Sequence, residues 1–292
     1  MVTIITMTTT IMSKRGATAK AAMSIFDYEF MRNALAASTI VAIVSGTIGY
    51  FLVLRGETFA GHALSHVGFA GATGAALLGL APFVGLTLFT ILAGLGIGAL
   101  GQRANRDVAI GLVLTLSLGL GLLFLHFYTA YAGVATNLLF GNVLGISLDT
   151  VWVLLGMAVV TLAGLAVISR QLLFASLQPE LAEARGVRTG LLTVLFMVIV
   201  ALATAQAIQI VGVLLVFALM VAPAATALRL TRSFAAGLGL SVVLAVAIAW
   251  LSLVLAYFTD WPTSFWITAL GGGAYALSHL QTWLAAKRTV HA

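Results

Sequence analysis

Ala236-Gly-Leu-Gly-Leu-Ser-Val-Val-Leu-Ala-Val-Ala-Ile-Ala-Trp-Leu-Ser-Leu-Val-Leu-Ala-Tyr-Phe258 runs between Arg232 and Asp260 without a charged residue. An apolar run of that length suits a helix crossing a bilayer, which needs about 20 such residues. Comparable runs recur at 33–54, 58–79, 84–101, 108–130, 150–169, 189–209, 211–228 and 264–284. The chain is 62% hydrophobic and 8% charged, with a mean hydropathy of +1.15. Soluble domains carry about 25% charged residues, so that class is excluded. The fold class read from these runs is all-α, a polytopic transmembrane helical bundle of eight or nine spans. It occupies a single membrane domain over 25–286, between a mobile N-terminal tail at 1–24 and a short cytoplasmic tail at 287–292.

Charge placement orients the bundle. With nine spans and a cytoplasmic C-terminus, the inner loops hold Arg55, Arg103, Arg106, Arg170, Arg185, Arg188, Arg229, Arg232, Lys287 and Arg288. Only Lys14, Arg15, Lys20 and Arg32 fall outside, as an excess of positive charge on the inner side requires. If 58–79 does not cross fully, eight spans with both ends inside fit instead. The basic residues, despite a pI near 10.1, stand singly between apolar runs, so they orient a membrane protein and form no nucleic-acid patch. Cysteine is absent, which excludes disulfides and thiolate metal sites.

Three stretches break the apolar pattern. Phe59-Ala-Gly-His-Ala-Leu-Ser-His-Val-Gly-Phe-Ala-Gly71 carries His62 and His66 one helical turn apart. At that spacing both imidazoles leave one face of a helix, about 6 Å apart along its axis. Neutral imidazoles so arranged can share a divalent metal, and they must lose their protons to do so. An interhelical hydrogen bond is the plainer role for either. Ser65 and Thr73 bond back to their own helix in most such settings. Gln206 and Gln209 could face an outer mouth or merely be exposed, and His126 and His279 lie near helix ends.

The second stretch, at 131–149, holds Asn137-Leu-Leu-Phe-Gly-Asn-Val-Leu-Gly-Ile-Ser147. Its glycines and asparagines interrupt a helix while its apolar residues favour burial, so a re-entrant segment and an ordinary surface loop both fit. The third is Ser176-Leu-Gln-Pro-Glu-Leu-Ala-Glu-Ala-Arg-Gly-Val-Arg188. Pro179 suits a first helical position, Glu180 and Glu183 the positive helix start, and Gly186 the C-terminal cap. Leu177, Leu181 and Ala184 make a small apolar stripe. The predicted element is a cytoplasmic helix of about two turns, either a capped loop or a knob for a partner's groove. Glycine clusters at 68, 71 and 74 and at 94, 96 and 98 read as helix packing. Only Lys14, Lys20 and Lys287 are lysines, and none sits in a phosphate-binding loop, so ATP would have to be hydrolysed by another polypeptide.

Fragments along residues 28–284 resemble the membrane permeases of bacterial ABC importers for zinc and manganese. They are Phe30-Met-Arg-Asn-Ala-Leu35, Gly49-Tyr-Phe-Leu-Val-Leu-Arg55 with the His62–His66 stretch, Leu139-Phe-Gly-Asn142, Pro179-Glu-Leu-Ala with Arg185-Gly-Val187, Val211-Gly-Val-Leu-Leu-Val216 with Ala222-Pro-Ala-Ala-Thr226, and Asp260-Trp-Pro262. The resemblance implies a multi-pass protein of the bacterial inner membrane, working as a homodimer with cytoplasmic ATP-binding subunits and an extracytoplasmic metal-binding protein. It further implies a re-entrant region at 131–149 and an ATPase-contacting helix at 176–188 that uses Pro179, Glu180, Leu181, Glu183, Arg185 and Gly186. No permanently bound cofactor is implied, since the metal is cargo that passes positions 62 and 66. The family has an acidic residue where this chain has His62. Imidazole suits zinc and carboxylate suits manganese, so the exchange favours zinc, with manganese and iron as the other candidates.

Rival functions fit less well. His62-Ala-Leu-Ser-His66 has the outer spacing of a zinc-protease helix, yet Ala63 stands where the general-base glutamate belongs. An ion-coupled secondary transporter places acids within its spans; here Glu57, Asp107, Asp149 and Asp260 fall at span ends. An ABC permease for a metal chelate shares the architecture but has no use for paired imidazoles.

Overall fold

A computed structural model of the chain describes residues 28–100, 106–127 and 138–290, with the side chains of 106 and 284–290 outside the description. The tail at 1–24 and residues 131–137 of the irregular loop therefore lie outside the described residues, as do Arg103 and the side chains of Lys287 and Arg288. Among the described residues all regular structure is helical. Each of the nine apolar runs holds a helix among its described residues, the seventh starting at 216 and not at 211 because Gly212 (φ 75°) interrupts it: α1 Glu29–Leu54, α2 Thr58–Leu77, α3 Pro82–Leu100, α4 Arg106–Phe127, α5 Leu148–Leu177, α7 Thr189–Val211, α8 Val216–Leu230, α9 Phe234–Thr259 and α10 Thr263–Val290. A short α6, Pro179–Ala184, joins α5 to α7. Six of them, α1, α3, α4, α5, α7 and α9, are long and apolar enough to cross a membrane.

Local chemistry sets the boundaries. Ser147 caps α5 by accepting the Thr150 N–H at 3.3 Å. The next helix, α6, opens on Pro179, whose missing N–H costs nothing at a first helical position. At the far end of α9, Asp260 adopts a left-handed conformation (φ 57°) and donates its N–H to the Ala256 carbonyl.

Packing arranges the helices around α1, which lies against α5, α7, α8 and α9. A second group holds α2 between α3, α4 and α7. Lipid is as apolar as leucine, so close backbone approach and hydrogen bonds, more than hydrophobicity, hold such helices together. Gly49 illustrates the first: a Cβ there would collide with the Met220 carbonyl of α8. Gly94 and Gly98 likewise face the backbone of α7 at Met197 and Val194, while Gly96 meets only its own helix. Ser241 illustrates the second, donating from α9 to the Gly46 carbonyl of α1 at 2.7 Å. On the outside of α4 and α5, Val108, Leu112, Leu116, Trp152, Val159 and Val167 are exposed. An apolar exterior of that extent needs a hydrocarbon solvent.

The described part of the irregular loop is tied down by backbone. Val213 and Leu214 donate their N–H groups to the carbonyls of Leu138 and Leu139, at 3.0 and 3.3 Å. Gly141 and Gly212 face each other there with φ of 79° and 75°, and a Cβ on either would strike the backbone of the opposing segment. Asn142 caps a single 3-10 turn, Val143–Gly145, and Asn33 donates to the Ile146 carbonyl. Val143 and Ile146 are buried, so this segment packs into the bundle beside the junction of α7 and α8.

Candidate metal path and ATPase-facing helix

From Ala60 to Ala76, every residue of α2 is buried except His62 and His66. Small neighbours make this possible, because Gly61, Ala63, Ser65 and Gly68 let α1, α3 and α7 close over the rest of the helix. The two imidazole rings stand 4.8 Å apart, centre to centre, at an interplanar angle of 84°. His62 also meets the ring of Phe217, from the first turn of α8, at 5.5 Å edge to face, and stacks loosely with Phe59 at 6.5 Å. Phe59 and Phe217 are themselves exposed. The imidazoles therefore open on the uncovered side of a single chain, between aromatic rings. Among the described residues no third His, Cys, Asp or Glu joins them in a metal-sized group.

The other polar candidates are spent on structure. Ser65 donates to the His62 carbonyl at 2.7 Å, and Thr73 to the carbonyls of Phe69 and Ala70. Gln206 does not reach a mouth: it is fully buried between α5 and α7, donating to Thr161 Oγ1 at 2.9 Å and to the Leu202 carbonyl. A buried amide in an apolar bundle finds the nearest hydroxyl, and Thr161 supplies it. Gln209 does line a cavity of about 310 Å³, with Pro82, Leu138 and Asn142.

The short helix between α5 and α7 starts on Pro179 and ends before Gly186, at the positions the sequence predicts. α5 continues to Leu177, so α6 keeps only Pro179–Ala184. Its buried anchor is Ala182, whereas Leu177, Leu181 and Ala184 of the predicted stripe all face outward. Gln178 separates α6 from α5, with φ and ψ of −141° and 71°, well outside the helical range. The turn is closed from within. Val187 and Gly186 donate to the carbonyls of Ala182 and Glu183, the Thr189 hydroxyl donates to Glu183 Oε1 at 3.0 Å, and Arg185 lies over the Phe174 ring. What is left to touch something else is an exposed edge that includes Leu177, Pro179, Glu180, Leu181 and Ala184.

One polar group escapes a reading by motif. Arg55 and Glu57, separated only by Gly56, form an ion pair of 2.9 Å with side chains 11% and 4% exposed. By sequence they are just an inner-loop charge and a span-end acid. The signal was opposite charges flanking a glycine, with no loop long enough to let them reach water.

The family description "ABC 3 transport family" matches residues 27–281. The chain belongs to that family. Among its relatives, the manganese transport system membrane protein MntC of Listeria monocytogenes is 34% identical over 235 residues, covering 80% of this chain and 84% of that one. A probable iron transport system membrane protein of Haemophilus influenzae is 31% identical over 257 residues, covering 86% and 93%. The solved structure of PsaBC from Streptococcus pneumoniae in complex with Fab superposes with a TM-score of 0.77 at 29% identity, covering 86% of this chain and 91% of that one. This member of the ABC 3 transport family is thus a multi-pass bacterial membrane protein, a permease subunit of the metal-importing ABC type, and not an enzyme; ATP hydrolysis belongs to a separate subunit.

Proposed function

We propose that this permease imports a divalent first-row metal past His62 and His66, with zinc as its preferred cargo. The supporting observation is the exposure pattern of α2, which hides every residue between Ala60 and Ala76 but these two. Two imidazoles supply half of a tetrahedral set. A second copy of the chain, related by a two-fold axis, would supply the other half, which is why we infer a homodimer enclosing one path. Ligands that bind too tightly would trap the ion, so a site assembled from partly exposed histidines of two chains suits passage. An extracytoplasmic metal-binding protein would load the outer end. Cytoplasmic ATP-binding subunits would press on α6 through Pro179, Glu180 and Leu181, while Glu183, Arg185 and Gly186 hold its shape. In this reading α2, α8 and α10 cross together with the six helices long and apolar enough to do so, and the described residues 138–147 dip back from the outer face. Manganese is the second reading, favoured by the relative named for manganese at 34% identity.

The test is metal uptake by the full transporter in proteoliposomes. Replacing His66 by Ala is expected to lower uptake of radioactive zinc about tenfold or more, since one ligand of the set is lost. Uptake equal to that of the unaltered protein would reject the path.

A further inference from the structure

We infer that Arg55 and Glu57 are positioning residues that carry movement of α6 into the histidine helix. The guanidinium reaches three elements at once. Its Nε donates to Glu57 Oε1 at 3.0 Å, its Nη1 to Ser176 Oγ at 3.3 Å, and its Nη2 to Thr193 Oγ1 at 3.1 Å. Its plane also covers the Phe196 ring at 5.4 Å. Ser176 lies in the last turn of α5 and Thr193 in the first turns of α7, so Arg55 holds both helices that flank α6. Glu57 is the residue from which α2 starts; its N–H donates to the Leu52 carbonyl and its own carbonyl accepts from Ala60. The path from α6 to His62 therefore runs through a hydroxyl of a flanking helix, the Arg55 guanidinium, the Glu57 carboxylate and little more than one helical turn.

An arginine at this end of the bundle is ordinary as an orienting charge. An arginine only 11% exposed against a carboxylate 4% exposed is not, because orienting charges keep their hydration. Buried ion pairs gain little net stability over apolar packing, and their best-attested use is to fix one geometry against another. Arg is suited to that work, since its planar fork engages several acceptors in fixed directions. A sliding of α5 against α7, of the kind that interface helices undergo, would pull Ser176 and Thr193 apart. The guanidinium follows one of them and takes Glu57 with it, which turns the start of α2 and the face that bears His62 and His66.

The inference rests on α6 as the ATPase contact, and the experiment separates the two. The complete transporter, permease with its ATP-binding subunits, is reconstituted in proteoliposomes, and zinc imported per ATP hydrolysed is measured. Glu57→Gln keeps size and hydrogen bonding but removes the charge; Arg55→Lys keeps the charge but loses the fork. Both are expected to lower the ratio about tenfold, within the range of allosteric couplings, while the ATP-binding subunits still co-purify. Ser176→Ala, which removes a single acceptor, is the milder variant should either fail to fold, and a lower ratio is expected there too. An unaltered ratio in these variants overturns the inference, as does a parallel loss of hydrolysis and uptake tracking a lower unfolding temperature, which marks a structural pair only. Leu181→Arg tests the contact itself: loss of co-purification upholds it, and retained assembly with retained uptake removes it whatever Glu57→Gln does.

Discussion

His62 with His66, and Arg55 with Glu57, lie within a dozen residues of each other and answer the same problem in opposite ways. The first pair is displayed, with its rings half-buried on the open side of α2 and no third His, Cys, Asp or Glu grouped with it among the described residues. The second is enclosed, with the guanidinium satisfied by a carboxylate, two hydroxyls and an aromatic face. A polar group left open in an apolar bundle awaits something from outside the chain. A polar group closed on itself fixes the relation among the elements it touches. Apolar substitution should therefore cost stability at the enclosed pair, where conservative changes reach only its coupling, and substitution at the open pair should act on the cargo itself.

The largest effect is expected where the enclosed pair is broken apolarly. Glu57→Leu leaves the Arg55 guanidinium buried without its counter-charge, a change worth about 3–5 kcal/mol in comparable sites. Thermal unfolding of the purified permease in detergent should reveal it, and a variant as stable as the parent would show that water reaches the pair freely. A middle effect is expected where Gly212 stands at φ 75° against Gly141. Gly212→Ala must adopt a conformation that costs about 1–3 kcal/mol and also push the 138–141 segment away. The same unfolding measurement checks it; an unshifted transition would mean that the contact of that segment with Val213 and Leu214 is dispensable.

How much of this contrast the sequence holds depends on what each residue needs from its neighbours. The helices were legible because lipid demands internal backbone bonding, so apolar length alone marks them, from Ala236 to Phe258 as much as elsewhere. The histidine pair was legible too, since i, i+4 spacing fixes a shared face wherever the helix sits. Gln206 was misplaced because its fate turns on Thr161, which lies in a different helix and 45 positions away. The ends of α6 were legible, Pro179 at its start and Gly186 (φ 79°) past its end, because each answers a local need of the backbone. Arg55 could be counted as a charge, but its acceptors at 176 and 193 come from the bundle and not from the local pattern. Periodicity reports what a helix does to its own side chains; it carries no register between helices.

The smallest expected effect on stability is the one that tests cargo most sharply. His62 is half-buried and its ring neighbours are Phe59, His66 and Phe217, so its replacement removes contacts at an edge and leaves no cavity in the core. His62→Asp should move the unfolding free energy by about 0.5 kcal/mol or less, as for other peripheral positions. The chemistry of the face changes far more. A carboxylate replaces a borderline nitrogen with a hard oxygen and adds a negative charge beside His66, which suits manganese better than zinc. In competition uptake with both metals present, the zinc-to-manganese ratio should fall about tenfold, equivalent to about 1.4 kcal/mol in relative affinity. A ratio that stays fixed would mean that the imidazole at 62 does not touch the ion, and that selection happens before the metal reaches the membrane. A ratio that moves while stability does not would tie selectivity to an open pair and separate it from the enclosed one a helical turn away.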